Sequence, residues 1–414
     1  MIGLLPLLLA APPFLQDSPA DVEAWTEDVF HLVAALEEMH PDPFAGCPRE
    51  TFEAGVDTFL SGVEEWTEVR STAEFMRLLA LLSRGGREGH AGVWSLSSAV
   101  LPIQIHAFSD GWFVVDAPSE TADLVGAQVL AIGGIDVAEV AARLAPLQCH
   151  DNEVNLRVRV AGALSTVDLL AGVEIPRSSQ GFLVRLRMPG DEEVERALTP
   201  RPPQHGDLRR RFGGGLPPRE GHRWLRNLDA AYRMEMLEPR HTLYVQYNEV
   251  TAGREGGPTL AEFAQEMMKR FEEEHAERLV LDVRCNGGGD NTTFGPLIEA
   301  LKTPAIDRPD VLFGLIGPQT FSAAGNFAAV LDRETRATLV GEPTGGAPNQ
   351  YGDARDVSLP RHPQLNLRLA TRYHVFTTPD DPSLAVEPDV LVPLTSKDYF
   401  SGHDPVLARV LGEN

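Results

Sequence analysis

Hydrophobic positions over residues 21–82 recur at helical spacing. Trp25, Val29, Leu32, Val33 and Leu36 share one helix face, and Phe75, Leu78, Leu79 and Leu82 repeat the pattern. Pro41, Pro43 and Gly46 break the stretch into two arms. Past Gly89 the period shortens to that of strands, over 99–108, 112–116 and 127–132, closed by the turn Gly133-Gly134. A helix over 136–144 and an alternating strand over 182–188 follow, and then a stretch crowded with Pro, Gly and Arg over 202–219 that reads as a linker or long surface loop. From there strands over 243–247, 279–284, 311–316 and 338–340 alternate with helices over 260–274, 293–301 and 322–331, the pattern of a layered α/β domain. The expected organisation is a helical N-terminal domain over 17–88, a small β-rich domain over 89–200, a linker over 201–234 and an α/β domain over 235–414.

Composition supports a folded globular chain. Of its 414 residues 43% are apolar and 23% charged, close to ordinary usage. The net charge of −24 is spread along the chain, and a surface this acidic repels phosphate backbones, so no nucleic-acid partner is expected. The one concentrated basic stretch is Arg209, Arg210 and Arg211 with Arg219, Arg223 and Arg226. Residues 2–11 form an apolar segment broken by Pro6, too short for a bilayer, which takes about 20 residues. Its length suits the apolar region of a signal peptide, although no Lys or Arg precedes it. The expectation is therefore a signal peptide over 1–16, an extracytoplasmic location and no integral membrane segment.

Three lysines, Lys269, Lys302 and Lys397, leave lysine-based mechanisms few candidates. Cys47, Cys149 and Cys285 contain no C-x-x-C pair, and the histidines show no H-E-x-x-H spacing, so neither a disulfide framework nor a metal site is encoded. No cofactor is expected.

Three places could carry chemistry. The buried-strand pattern over 278–283 runs into Asn286-Gly287-Gly288-Gly289-Asp290-Asn291 ahead of a helix. Such a turn either exposes N–H donors to an anion or serves only as a tight strand-to-helix connection. It matches neither nucleotide-loop pattern. Ser322, at a second strand-to-helix transition, is either a helix cap or a nucleophile whose neighbour Ala323 offers an N–H to an oxyanion. No G-x-S-x-G elbow surrounds it. His90 lies between Gly89 and Ala91-Gly92 at the boundary of two domains, as a turn residue or a general base.

Three ordered segments, Leu281-Asp282-Val283-Arg284-Cys285-Asn286-Gly287-Gly288-Gly289, Thr320-Phe321-Ser322-Ala323-Ala324 and Val340-Gly341-Glu342-Pro343-Thr344-Gly345-Gly346, together resemble the tail-specific (C-terminal processing) protease family. His40-Pro41-Asp42-Pro43-Phe44, Glu88-Gly89-His90, Leu130-Ala131-Ile132-Gly133-Gly134, Pro388-Asp389 and Gly402-His403-Asp404-Pro405 extend the likeness over most of the chain. The resemblance implies a crotonase/ClpP-like ββα catalytic domain, a PDZ-like character in the β-rich domain, Ser322 as nucleophile and an oxyanion hole from the N–H groups of Gly288 and Ala323. Where one branch carries its lysine, this chain has Thr344-Gly345-Gly346-Ala347, so the resemblance points to the tricorn-like Ser/His branch with His90 as base. The third member is expected to be a carboxylate downstream of the serine: Asp381, with Asp380, Glu342 and Glu387 as alternatives. The implied activity is hydrolysis of peptides or unfolded chain ends through an acyl-enzyme. A catalytically inactive relative that binds peptides or apolar ligands, and an esterase-type acyl hydrolase, fit the same residues.

Overall fold

The computed structural model describes residues 18–93, 99–203, 215–238 and 241–413. The signal-peptide segment and Arg209 to Arg211 lie outside the described residues. Three helices open the chain: α1 (Val22–Met39), α2 (Arg49–Gly62) and α3 (Glu68–Ala80). Asp21 caps α1 by accepting the Ala24 N–H at 3.0 Å, and of the predicted stripe Trp25, Val29, Leu32 and Leu36 are fully buried while Val33 is partly so.

The β-rich part contains β1 (Gly92–Val93), β2 (Gln104–Phe108), β3 (Gly111–Asp116), β4 (Gln128–Ile132), β5 (Ile135–Asp136), α4 (Val137–Leu144), α5 (Glu153–Ala163), α6 (Val167–Gly172), β6 (Phe182–Arg187) and β7 (Glu193–Leu198). Its antiparallel sheet runs β2-β3-β4-β6-β7, with β5 on β4.

The remainder comprises β8 (Tyr232–Leu237), β9 (Thr242–Tyr247), α7 (Leu260–Glu273), β10 (Arg278–Asp282), α8 (Gly295–Leu301), β11 (Leu312–Ile316), α9 (Ala323–Glu334), β12 (Thr338–Gly341), β13 (Gln350–Gly352), β14 (Arg355–Val357), β15 (Leu367–Leu369), β16 (Arg372–His374), β17 (Val390–Leu391), α10 (Ser396–Ser401) and α11 (Pro405–Leu411). The main sheet runs β17-β12-β11-β10-β9-β8, parallel except for β8. Because β9 to β12 follow in chain order, their crossovers stack on one face. There α7, α8 and α9 share a core with the sheet, while Val406, Leu407, Val410 and Leu411 of α11 cover the other face. Both faces of β9 are thus buried, as a parallel interior strand requires.

Two features join the units. One continuous apolar core takes in Trp25 and Phe75 from the helices, Val129 and Val184 from the antiparallel sheet, and Leu367 and Leu369 from β15. In addition β1, directly after His90, pairs antiparallel with β15, which in turn pairs with β14. The stretch read as a linker buries Trp224 and Leu225 with Phe108 and Tyr399, and its arginines find local partners: Arg219 over the Tyr399 and Phe400 rings, Arg223 on Glu235. No helix among the described residues is long and apolar enough to cross a membrane.

Candidate active site

Ser322 stands at the junction of β11 and α9, where the chain leaves the C-terminal end of a parallel strand. Its backbone sits at φ 56°, ψ −130°, a region that a side chain rarely tolerates, and its hydroxyl makes no capping bond. Ser322 holds the N-cap position without capping through its side chain: Oγ lies 2.8 Å from His90 Nε2 instead. Ala323 opens α9, so its N–H has no acceptor within the helix and points out of the helix start.

The glycine loop comes against the serine from the end of β10. The Phe321 N–H donates to the Asn286 carbonyl at 3.1 Å, and the Thr320 hydroxyl donates to the Val283 carbonyl at 3.0 Å, which ties the two turns together. Gly288 has φ 113°, and a Cβ there would come 2.6 Å from Ser322 Cβ, so no other residue fits. The Gly288 N–H donates to Asn286 Oδ1 at 2.9 Å. At the loop's end Asn291 Nδ2 donates to Asn326 Oδ1 and meets His374 Nδ1 at 3.2 Å. Beneath the loop Arg284 is buried and binds Asp282 and Asp404 with both arms of its guanidinium, so the Leu281–Arg284 and His403-Asp404 segments meet in one ion-pair network.

His90 is stacked on Phe321 at 4.9 Å between centroids. Burial, with the nearby positive charges of Arg159, His374 and Arg368, pulls its pKa down to about 4, against the Tyr351 backbone carbonyl, which raises it. The imidazole is therefore neutral at pH 7, with a free pair for the serine proton. Although the Tyr351 carbonyl faces the ring, Nδ1 makes no hydrogen bond of normal geometry to any of the described residues. The preceding Glu88 is buried against His40 at 3.1 Å, and the His40 ring lies tilted against Tyr351 at 4.6 Å between centroids, so the His40–Phe44 and Glu88–His90 segments form one corner.

The four carboxylates expected as third member lie as follows. Asp381 is half-buried; its Oδ1 accepts the Ser383 N–H at 2.8 Å and its carbonyl accepts from Arg87 Nη2 at 2.5 Å, three residues before His90. Asp380 and Glu387 are exposed. Glu342 accepts the Leu394 N–H at 3.3 Å, and burial raises its pKa. None of the four has a hydrogen bond to His90.

Sequence reasoning missed a buried group behind the base. Asp151 Oδ1 accepts the Gly89 N–H at 2.5 Å and Oδ2 accepts the Ala347 N–H at 3.2 Å. Its pattern gave no signal, because Asp151-Asn152 reads as a helix cap, and Asn152 does cap α5. Among the described residues no cluster of His, Cys, Asp and Glu could hold a metal ion.

No protein-family model and no curated protein matches the chain. Solved structures share its fold over nearly its whole length. Mature CPAF complexed with lactacystin superposes with a TM-score of 0.64 at 16% identity, covering 94% of this chain and 97% of that one. Mature CPAF alone gives 0.62 at 16% identity, with 94% and 96% covered. The likeness expected from the ordered motifs is met over nearly the full length of both chains, as a likeness of fold.

Proposed function

We propose that this chain is a serine peptidase of the tail-specific protease family, in its Ser/His branch. The observation that carries the reading is the 2.8 Å contact between Ser322 Oγ and His90 Nε2, with the serine held at positive φ on a helix start. Ser322 Oγ attacks the peptide carbonyl carbon while His90 Nε2 takes its proton, and the carbonyl π pair moves onto oxygen. The Ala323 N–H meets that oxyanion, and the Gly288 N–H, released from Asn286, is the second donor. Collapse expels the amine with the proton from His90, and water repeats the sequence to free the acid and restore Ser322. Asp381 is the acid the resemblance assigns to the set; its loop is tethered to Arg87, three residues before His90, and it makes no hydrogen bond to the imidazole.

The main sheet with α7 to α9 is read as the crotonase-like ββα unit. The turn from β4 into α4 is the PDZ-like part of the β-rich unit, although α5 packs along the β2 edge and Arg157 donates to the Phe108 carbonyl there. Substrates are peptides or unfolded chain ends, met outside the cytoplasm. Among the described residues no carboxylate meets His90 Nδ1, which favours one second reading, a catalytically inactive peptide-binding relative.

A fluorophosphonate probe separates the two. Labelling of wild type at Ser322, abolished in Ser322→Ala and reduced at least about 100-fold in His90→Ala, is expected for the peptidase. Wild type as inert as Ser322→Ala would sink it.

A further inference from the structure

The geometry points to Asp151 as a positioning residue that locks the base onto the nucleophile, an inference that rests on the peptidase reading. The carboxylate bridges two loops. One oxygen holds the Gly89 N–H, directly before His90, and the other holds the Ala347 N–H. The loop of Ala347 backs the serine turn, because the Gly346 N–H donates to the Thr320 carbonyl at 3.0 Å. The backbone of the same segment adds two more ties to the base-bearing loop: the Asp151 carbonyl accepts the Arg87 N–H at 2.9 Å and the His150 carbonyl accepts the Glu88 N–H at 3.2 Å. Asp151 is wholly buried. An isolated buried carboxylate is costly, so one spent on two loop N–H groups fixes their spacing more tightly than a surface contact could.

Arg159, on α5, completes the arrangement. Its guanidinium is also buried and donates to the Gly89 carbonyl and, at 3.1 Å, to Asn155 Oδ1, which in turn accepts the Asp151 N–H at 3.3 Å. The Gly89 peptide is thus gripped at its N–H by a carboxylate and at its carbonyl by a guanidinium. Gly89 itself admits no side chain, since a Cβ would come 2.8 Å from Asp151 Oδ1 and 2.9 Å from Phe321 Cε2. Asp151 and Arg159 both come from the β-rich unit, whereas Ser322 belongs to the α/β unit, so the clamp makes the dyad depend on how these units meet.

The clamp is complete only with the ionised carboxylate, because protonation turns one of its two accepting oxygens into a donor that faces an N–H group. Burial raises the Asp151 pKa to about 7, against the Gly89 and Ala347 N–H groups and Arg159, which lower it; Glu88, on the base-bearing loop, raises it further. Cys149, adjoining on its own segment, is held as the neutral thiol by burial. Reactivity at Ser322 is therefore expected to rise with pH through about 7, whereas the low pKa of His90 alone would place that rise near 4.

The test is the fluorophosphonate labelling rate of full-length protein between pH 5 and 9, for wild type, Asp151→Asn and Ser322→Ala, with thermal unfolding as a check on folding. The expected result is folded Asp151→Asn that labels at Ser322 about 10- to 100-fold more slowly at pH 8, the cost of a base displaced by part of an ångström, and that has lost the rise through pH 7. Asp151→Asn with the rate and profile of wild type, while Ser322→Ala stays unlabelled, would overturn the positioning role and leave the peptidase standing. Wild type without labelling would overturn both. Should Asp151→Asn fail to fold, Arg159→Gln, which frees the Gly89 carbonyl, takes its place: labelling at Ser322 slowed about 10-fold or more supports the clamp, and labelling at the wild-type rate refutes it.

Discussion

At Ser322 the backbone is held at φ 56°, ψ −130°, which costs on the order of 1–3 kcal/mol and persists only because its surroundings impose it. The strain turns Oγ away from the helix start and toward His90. Gly288 is the surrounding most exposed to test. With a Cβ forced to 2.6 Å from Ser322 Cβ, Gly288→Ala is expected to lower fluorophosphonate labelling at least about 100-fold while thermal unfolding moves by only a few degrees; a variant that labels like wild type would show that the close approach is not needed. At this scale the sequence was informative where chemistry has a motif. Ser322 and His90 stood in recognisable surroundings, 232 residues apart. Asp151 did not, because its role is to accept from a pair of backbone N–H groups, which any carboxylate in any turn could do, and only the fold decides which N–H groups it meets.

Among the elements, α1 and α3 are joined by a residue from far along the chain. His362 Nδ1 lies 2.6 Å from Asp28 on α1 and Nε2 lies 2.7 Å from Glu68 on α3, with its ring stacked on Trp25 at 4.1 Å. Burial lowers the His362 pKa, but the hydrogen bonds and charges of Glu68 and Asp28 outweigh it and the net direction is up. The stability this gives is full below the ordinary histidine value of about 6.5 and is lost as pH rises through the raised one. His362→Ala is expected to cost about 3 kcal/mol near pH 6, since it leaves Asp28 buried without its partner, and less at pH 9. Equal losses in urea unfolding at the two pH values would contradict the ion-pair account. The helices around this bridge were legible because a long apolar stripe repeats at helical spacing. By contrast α5 was not: buried Asn155 and Arg159 break its period, and those polar residues are inside because they serve the Asp151 clamp. Likewise β13 to β17 span two or three residues each, too few for an alternating pattern to register.

For the whole molecule, a net charge of −24 sets up a field that favours basic and neutral peptides over acidic ones. Cleavage of an acidic peptide is expected to speed up a few-fold when ionic strength rises from about 0.01 to 0.1 M, as the Debye length contracts from about 30 to 10 Å, and cleavage of a basic peptide to slow. Salt-independent rates for both would mean that the site is shielded from the surface field. The order of units along the chain was readable from the switch between helical and strand periods. Their fusion was not, because the pairing of β1 with β15 and the core shared by Trp25, Val184 and Leu369 join segments hundreds of residues apart.

That separation has a bearing on how such a protein is made. The histidine leaves the ribosome 232 residues before the serine, which at about 5–20 residues per second is roughly 10–50 seconds of synthesis, and the strand that anchors the histidine's loop comes later still, at Leu367–Leu369. A growing chain therefore holds first a histidine without its serine, and then a serine whose partner loop lacks its anchoring strand. On the peptidase reading, the complete dyad is therefore assembled only in a nearly finished polypeptide, once Leu367–Leu369 has paired with the strand after His90.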